Sequence, residues 1–354
     1  MNYLQAALAA TEPEWRRNLE RLFARGQFIL GEQVAEFEQA FARAMGARYA
    51  VGVASGTAAL ELCLREAGIT GEVLTSPLTA PFTGLAILAA GATPRFADVD
   101  PETLLLDPRN APAAVAVMPV HLYGNTANME AYGVPIIQDA CQAHGALHQG
   151  RPLADYSSHV AYSFYPTKNL GCLGDGGAVV TNDAEIARRI ARLRDGARIE
   201  NHVAIAAGIN ARLDEIQCCF LNAFLPHLAE WNARRGRLAK LYDEALAERV
   251  RIVPRSPGGV HHLYVIRSKQ RDALRERLAA RGVDTGVHYP VPLHLHPAFS
   301  GFGSKLGDLP HAEQAAKEVV SLPLDPFMTE AEVLRIAELI CSWQAETPAP
   351  PESM

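Results

Sequence analysis

No apolar run in this chain approaches the ~20 residues that a membrane-spanning helix needs. Positive charge is also short. The formal net charge is -6 and the pI is near 6.1, which argues against nucleic acid or an acidic membrane as the main partner. The six cysteines, Cys63, Cys141, Cys172, Cys218, Cys219 and Cys341, form no CxxC pair. Scattered through apolar context, they read as free thiols of a reducing compartment rather than disulfides or a zinc site. The opening MNYLQAALAATEPEWRRNLE lacks a basic start followed by a compact apolar core, so no secretory signal is read there and a cytoplasmic location is expected. No internal repeat is visible. What remains is a 354-residue chain that is 49% apolar and 20% charged, the balance of a globular enzyme with room for a large domain and a smaller one.

Helical periodicity runs over Glu12 to Arg25 and over Gly31 to Met45, where Val34, Phe37, Phe41 and Met45 make one stripe that reads as core packing. Short apolar runs then recur at Tyr49–Val53, Glu72–Leu74, Thr93–Phe96, Ala114–Met118 and Val134–Gln138, with helical stretches between several of them. This alternation predicts a mainly parallel α/β sheet carrying ligand groups at its strand ends. From about Arg251 the pattern changes. Strands are expected at His262–Ile266 and Val283–His288, and helices at Arg271–Arg281, His311–Val320 and Thr329–Trp343. The reading is a large domain over 1–235, a small α+β domain over 236–345, and a proline-rich disordered tail over 346–354.

Three stretches carry chemistry. In AYSFYPTKNLGCLGDGGA, Ala161 to Ala178, an apolar run breaks at Pro166 and delivers Lys168 into a turn with Gly171, Gly174, Gly176 and Gly177. Most lysines are solvated, but burial in such a turn lowers the pKa and makes the amine nucleophilic. In Ser55-Gly56-Thr57-Ala58 a helix begins directly after a strand, which makes either an anion site or an ordinary Ser/Thr cap. In DACQAHGA, Asp139 directly follows the apolar Ile136-Ile137-Gln138, a place for a functional carboxylate or for a helix cap.

SGTAAL, DACQAHGA, SFYPTKNLGCLGDGG, GINARLDEIQ and HYPVPLHLHPAF occur in that order along the chain. Together they resemble the DegT/StrS-type nucleotide-sugar aminotransferases, pyridoxal-phosphate (PLP) enzymes of aspartate-aminotransferase fold type I. The resemblance extends from Gly26 to Pro326. It implies that Lys168 holds PLP as a Schiff base and then serves as general acid/base for the 1,3-proton shift. It implies that Asp139 faces the pyridine nitrogen, that Gln142 lies near the ring's 3-oxygen, and that Gly56, Thr57 and Ala58 with Ser163 hold the phosphate. Asn210 matches a residue reaching the phosphate of the neighbouring subunit, which implies a homodimer with shared active sites. Arg212 is a candidate for a carboxylate contact. His288, Tyr289 and His294 are candidates for closing over the sugar, and no metal is expected although His294 and His296 form an HxH. For His121 and Tyr123 the residues leave both a core and a site role open.

One position departs from the family pattern. An aromatic residue that stacks on the cofactor commonly follows the Thr of P-x-x-T, whereas Ser76-Pro77-Leu78-Thr79-Ala80 puts Ala80 there, with Phe82 two positions on. Lysine rather than histidine at 168 implies transamination rather than dehydration. The implied substrate is a keto sugar on a nucleoside diphosphate, with L-glutamate the usual donor. The turn LGCLGDGG resembles relatives acting at the sugar's C3. The competing readings are a C4 sugar or cyclitol aminotransferase, and a non-catalytic regulator binding PLP or a sugar nucleotide.

Overall fold

The computed structural model describes residues 3–110, 112–199 and 203–346. Of the tail expected over 346–354, Glu346 still belongs to a helix, and residues 347–354 lie outside the described ones. The chain begins with helices α1 (Tyr3–Ala10), α2 (Glu12–Arg25) and α3 (Glu32–Ala44). The local signals of α2 agree with one another. A proline stands in its first turn with Glu12 and Glu14, Arg25 in its last, and Gly26 at φ 68° closes it by donating its N–H to Leu22 O. By contrast α3 is capped from afar. Glu215, 1% exposed, accepts the N–H groups of Gly31, Gln33 and Val34 at 2.7, 2.9 and 2.9 Å, which satisfies donors that a helix start leaves orphaned.

An alternating stretch follows: β1 (Tyr49–Val53), α4 (Gly56–Glu66), β2 (Glu72–Thr75), α5 (Pro81–Ala89), β3 (Thr93–Phe96), β4 (Ala116–Met118) and β5 (Gln138–Asp139). A hairpin of β6 (Leu147–His148) and β7 (Arg151–Pro152) precedes β8 (Val160–Ser163), β9 (Gly177–Thr181) and α6 (Ala184–Leu193). Ladders join β3-β2-β4 and β5-β8-β9-β1. Parallel bridges Val117–Ile136 and Val120–Asp139 connect the two groups into one sheet, β3-β2-β4-β5-β8-β9-β1. β9 runs opposite to the other six strands of this sheet. Both faces are covered, as the pleat alternation requires. Val160, Tyr162, Ala178 and Val180 pack towards α3 and α7 (Glu215–Phe224). Val51, Val53, Ala161 and Val179 pack towards α4, α5 and α6.

Helix α8 (Leu228–Leu246) links two cores. Leu228 and Trp231 belong to the cluster under α1–α3, while Leu238, Ala239, Tyr242 and Leu246 pack with β11 (Tyr264–Arg267), α9 (Arg271–Ala279) and α11 (Glu330–Glu346). There β10 (Arg251–Ile252), β11 and β12 (Val319–Leu322) form an antiparallel sheet. Two expectations fail here. Val283–His288 makes only the single bridge Gly286–Ser321. The helix expected to run to Val320 is α10 (Pro310–Glu318), and Val319 and Val320 leave it to pair with Arg267 and Ile266. β-Branched residues suit that pleated surface, and β11 takes β12 as its second neighbour. A further cluster ties Leu78, Phe96 and Tyr123 of the large sheet's side to Val265, Leu293, Phe299 and Val319. Contact there is close: a Cβ on Gly84 of α5 would lie 2.6 Å from the Phe299 ring.

Candidate active site

The parallel strands end at one edge of the sheet, where α/β folds place their ligands. Lys168 enters this edge on the turn from β8 to β9. The turn is held by Phe164 N–H to Gly176 O (2.7 Å), Cys172 N–H to Phe164 O (2.7 Å) and Lys168 N–H to Tyr165 O (2.8 Å). Its glycines serve close approach of the chain to itself. A Cβ on Gly171 would sit 2.6 Å from Pro166 O, and one on Gly177 2.5 Å from the Ser55 carbonyl. Gly177 thus lets the lysine turn abut the start of α4. Behind the lysine, buried Asn169 donates to Asn232 Oδ1 (2.8 Å), pairs with His262 Nδ1 (3.0 Å), and through its carbonyl accepts Tyr3 O–H (2.8 Å). The lysine is therefore mounted on a satisfied polar base.

Lys168 itself is partly exposed. Desolvation by the surrounding protein pushes its pKa below the ordinary lysine value, while the nearby Asp139 carboxylate opposes that shift. Asp139, 5% exposed at the end of β5, accepts Thr83 Oγ–H at Oδ2 (2.8 Å) and Cys141 N–H at Oδ1 (3.2 Å). Gln142 bridges two parts of the chain. Its Oε1 accepts Tyr123 N–H (2.6 Å) and its Nε2 donates to Tyr289 Oη (3.1 Å). Tyr123 O–H donates to the His288 carbonyl, and His288 Nδ1 pairs with Ser321 Oγ at 2.8 Å. Burial, then the Lys168 charge, brings the His288 pKa down to about 4. Burial, then Asp139, raises that of Tyr289. Lys168, Asp139, Gln142, His288 and Tyr289 consequently share one site.

At the start of α4, Ser55 Oγ accepts Ala58 N–H (3.1 Å). That is the ordinary N-cap, so Ala58 N–H is already engaged. Gly56 and Thr57 precede it, with N–H groups that have no acceptor inside the helix. A Cβ on Gly56 would meet Ser163 Cβ at 2.7 Å and Cys141 Sγ at 2.8 Å. Gly56, Thr57 and Ser163 are thus brought together with the end of β8.

Other candidates lie elsewhere. His294, 2% exposed, gives its Nε2 to Glu313 Oε1 (3.1 Å), and Glu313 also accepts Gly307 and Leu309 N–H. Through Glu313 it is tied to the loop ahead of α10. Arg212 Nη1 is paired with Asp195 Oδ1 at 2.8 Å, and Asp195 binds Arg198 as well. Asn210, in a bridge with Asp195, is exposed. His121 is a satisfied core histidine, bonded to Gln138 Oε1 (3.0 Å) and Ala127 N–H (3.0 Å). Ala80 is the N-cap of α5, and Phe82 is 60% exposed. Thr83 at N3 faces Asp139, so Ala80 three positions earlier shares that face and Phe82 is turned about 100° away. Among the described residues no group of three or more His, Cys, Asp or Glu is arranged to hold a metal, and no helix is long and apolar enough to cross a membrane. Thr83, Asn169 and Cys141 escaped the reading of the sequence. Thr83 lies in the first turn of α5 and Thr79 just ahead of its N-cap, and nothing local links this pair to Asp139, 56 residues on from Thr83.

The donor set suits PLP. It combines a desolvated amine, a carboxylate held at both oxygens, and a Gly-Thr helix start pressed against Ser163 so closely that a Cβ at Gly56 would close the cradle. Fold and site together define a PLP-dependent transferase of fold type I.

A model of the DegT/DnrJ/EryC1/StrS aminotransferase family matches residues 10–341, and the chain belongs to that family. It is 40% identical over 96% of its length to dTDP-3-amino-3,4,6-trideoxy-alpha-D-glucose transaminase of Streptomyces venezuelae, covering 94% of that protein. It is 35% identical to UDP-2-acetamido-2-deoxy-3-oxo-D-glucuronate aminotransferase of Pseudomonas aeruginosa, over 92% of this chain and 93% of that one. The crystal structure of S. venezuelae DesV in complex with a ketimine intermediate superposes with a TM-score of 0.92, at 40% identity and 96% coverage of both chains.

Proposed function

We propose that this enzyme transfers an amino group to the C3 keto group of a nucleoside-diphosphate-linked deoxy sugar, with L-glutamate as donor. The observation that carries the reading is Lys168, desolvated and set within the electrostatic reach of Asp139 at the strand ends. The turn Gly171-Cys172-Leu173-Gly174-Asp175-Gly176-Gly177 and the 3-amino and 3-oxo sugars named for the two relatives support C3.

Bound here, PLP supplies an electrophilic carbonyl and a ring that delocalises the charge left when the donor's Cα loses its proton. The chain's own groups do the rest. The lowered pKa of Lys168 leaves more free amine near neutral pH, so Nζ accepts a proton as amine and returns it as ammonium. The Asp139 carboxylate would place negative charge beside the ring nitrogen, and Gln142 would lie near the ring's 3-oxygen. Gly56 and Thr57 N–H groups with the Ser163 hydroxyl would hold the phosphate at the positive end of α4. Tyr289 and His288 close the sugar side and exclude water. Arg212, already paired with Asp195 in this chain, would have to exchange partners to bind a carboxylate. His294, bonded within the core, is left out of the substrate site.

The reading includes a homodimer in which Asn210 reaches the partner's phosphate site. Exposed Asn210 supports it, as do the exposed apolar side chains Phe28 and Ile29 beside Asp214, and Val203 and Ile205. Six unpaired cysteines support a reducing, cytoplasmic setting. Turnover of purified 3-keto and 4-keto sugar nucleotides with glutamate tests the assignment. The 3-keto isomer is expected to react at least about tenfold faster in kcat/KM, and preference for the 4-keto isomer would overturn it.

A further inference from the structure

The hydroxyl chain beneath Asp139 has a direction. Thr79 Oγ and Thr83 Oγ lie 3.1 Å apart, Thr83 Oγ lies 2.8 Å from Asp139 Oδ2, and the two threonines are 2% and 1% exposed. An ionised carboxylate only accepts, so the single proton of Thr83 is committed to Asp139. The Thr79–Thr83 contact must then run from Thr79 to Thr83. Each donation polarises the next, and no water competes at such burial. The other oxygen, Oδ1, is held by Cys141 N–H, so the carboxylate plane is pinned from two sides. Thr83 is placed for this because α5 starts at Pro81 with Ala80 as N-cap, which puts Thr83 on the helix's third position and its hydroxyl on the Asp139 side.

We propose that Thr83 is a positioning residue for the PLP reaction: its hydroxyl, backed by that of Thr79, aims and holds the Asp139 carboxylate on the ring nitrogen. The inference rests on the reading that Asp139 faces that nitrogen. Thr83 touches no substrate. It acts through Asp139, so its effect belongs in how tightly PLP binds and in the cofactor's electronic spectrum.

The test is the PLP dissociation constant and visible absorption band of the holoenzyme for the wild type, Thr83→Val, Thr83→Ser, Thr79→Val, Asp139→Asn and the double variant Thr83→Val/Asp139→Asn. Valine keeps the shape and removes the donor. Hydrogen bonds to charged groups are strong enough that Thr83→Val is expected to raise the constant about tenfold and shift the band. Serine should restore both to within about twofold, and Thr79→Val should cost about two- to threefold. In the Asp139→Asn background the valine should add nothing, because coupled residues are non-additive. The proposal is overturned if Thr83→Val and Thr79→Val bind PLP with the wild-type constant and band. It is equally overturned if serine is as damaging as valine, which would assign the effect to packing, or if valine costs the same in both backgrounds. An Asp139→Asn protein with unchanged affinity and spectrum would instead remove the role of Asp139 itself, and the proposal with it. Thermal unfolding of each apoprotein shows whether any variant has lost its fold.

Discussion

The two sides of the site are held by different means. On the sheet side, Lys168, Asp139, Gly56 and Ser163 stand at or beside the ends of strands whose ladders are backbone hydrogen bonds within a doubly covered sheet. On the C-terminal side, His288 and Tyr289 follow no strand. They are tied to the sheet side by Tyr123 O–H on the His288 carbonyl and by Gln142 Nε2 on Tyr289 Oη, and to β12 by the Ser321 hydroxyl. The groups proposed for proton transfer and cofactor binding are thus mounted on the rigid ladder, where a misplacement of about 1 Å is costly. The groups proposed to face the sugar hang from a few side-chain hydrogen bonds, which can break and re-form as substrate enters.

Breaking the sheet side should have the larger consequences. Lys168→Ala is expected to lower amino transfer by about a thousandfold or more, with folding intact by circular dichroism, because it deletes both nucleophile and proton carrier. A residual rate within about tenfold of wild type would move the chemistry to another group. Next comes Gly177→Ala. Its Cβ would stand 2.5 Å from the Ser55 carbonyl, a backbone neighbour that cannot swing aside. A loss of about 2–3 kcal/mol in unfolding free energy, with weakened PLP binding, is expected. Wild-type stability in denaturant titration would show that the lysine turn and α4 do not lock together.

The C-terminal side should respond more mildly. Tyr289→Phe removes the acceptor of Gln142 Nε2 and is expected to raise KM for the sugar about five- to tenfold, at about 1 kcal/mol for one hydrogen bond, with PLP affinity within about twofold. If steady-state kinetics show PLP affinity falling as far as KM rises, the two sides are not separable. pH acts on the whole fold rather than on either side of the site. Burial depresses His288 and His121 to about 4, and His144 and His261 to about 3. These rings stay neutral in the fold but titrate near 6.5 when unfolded. Their contribution is full above about pH 6.5 and is lost as pH falls from there towards 4 and 3. Tm measured by calorimetry should fall by several degrees from pH 7 to 5, and a flat profile would mean that these rings are solvated.

Local chemistry made part of this molecule readable in advance. Period-2 and helical patterns located β1, β3, α2 and the alternation that builds the sheet, because each rests on neighbours within a few residues. Lys168, Asp139, Gln142, His288 and Tyr289 were legible as motifs, and the structure brings them together. Parts of the chain that depend on distant partners were not legible. Val319–Leu322 becomes a strand because β11 pairs with it, although the preceding pattern continues helically. α3 begins where Glu215 reaches back over 184 residues to cap it. His294 looks like a site residue beside Tyr289 in sequence, yet Glu313 draws it into the core.

The sequence by itself determined the fold class, the strand-end places for an amine and a carboxylate, and the family to which the chain belongs, since residue type and short spacing encode these. Only the tertiary structure decided which polar side chains are already spent on one another. Arg212 on Asp195, His121 on Gln138 and Thr83 on Asp139 are pairings across 17 to 56 residues, and Thr79 is spent on Thr83. A buried donor takes whatever acceptor the packed chain brings within about 3 Å, and that distance is set by packing rather than by order along the chain.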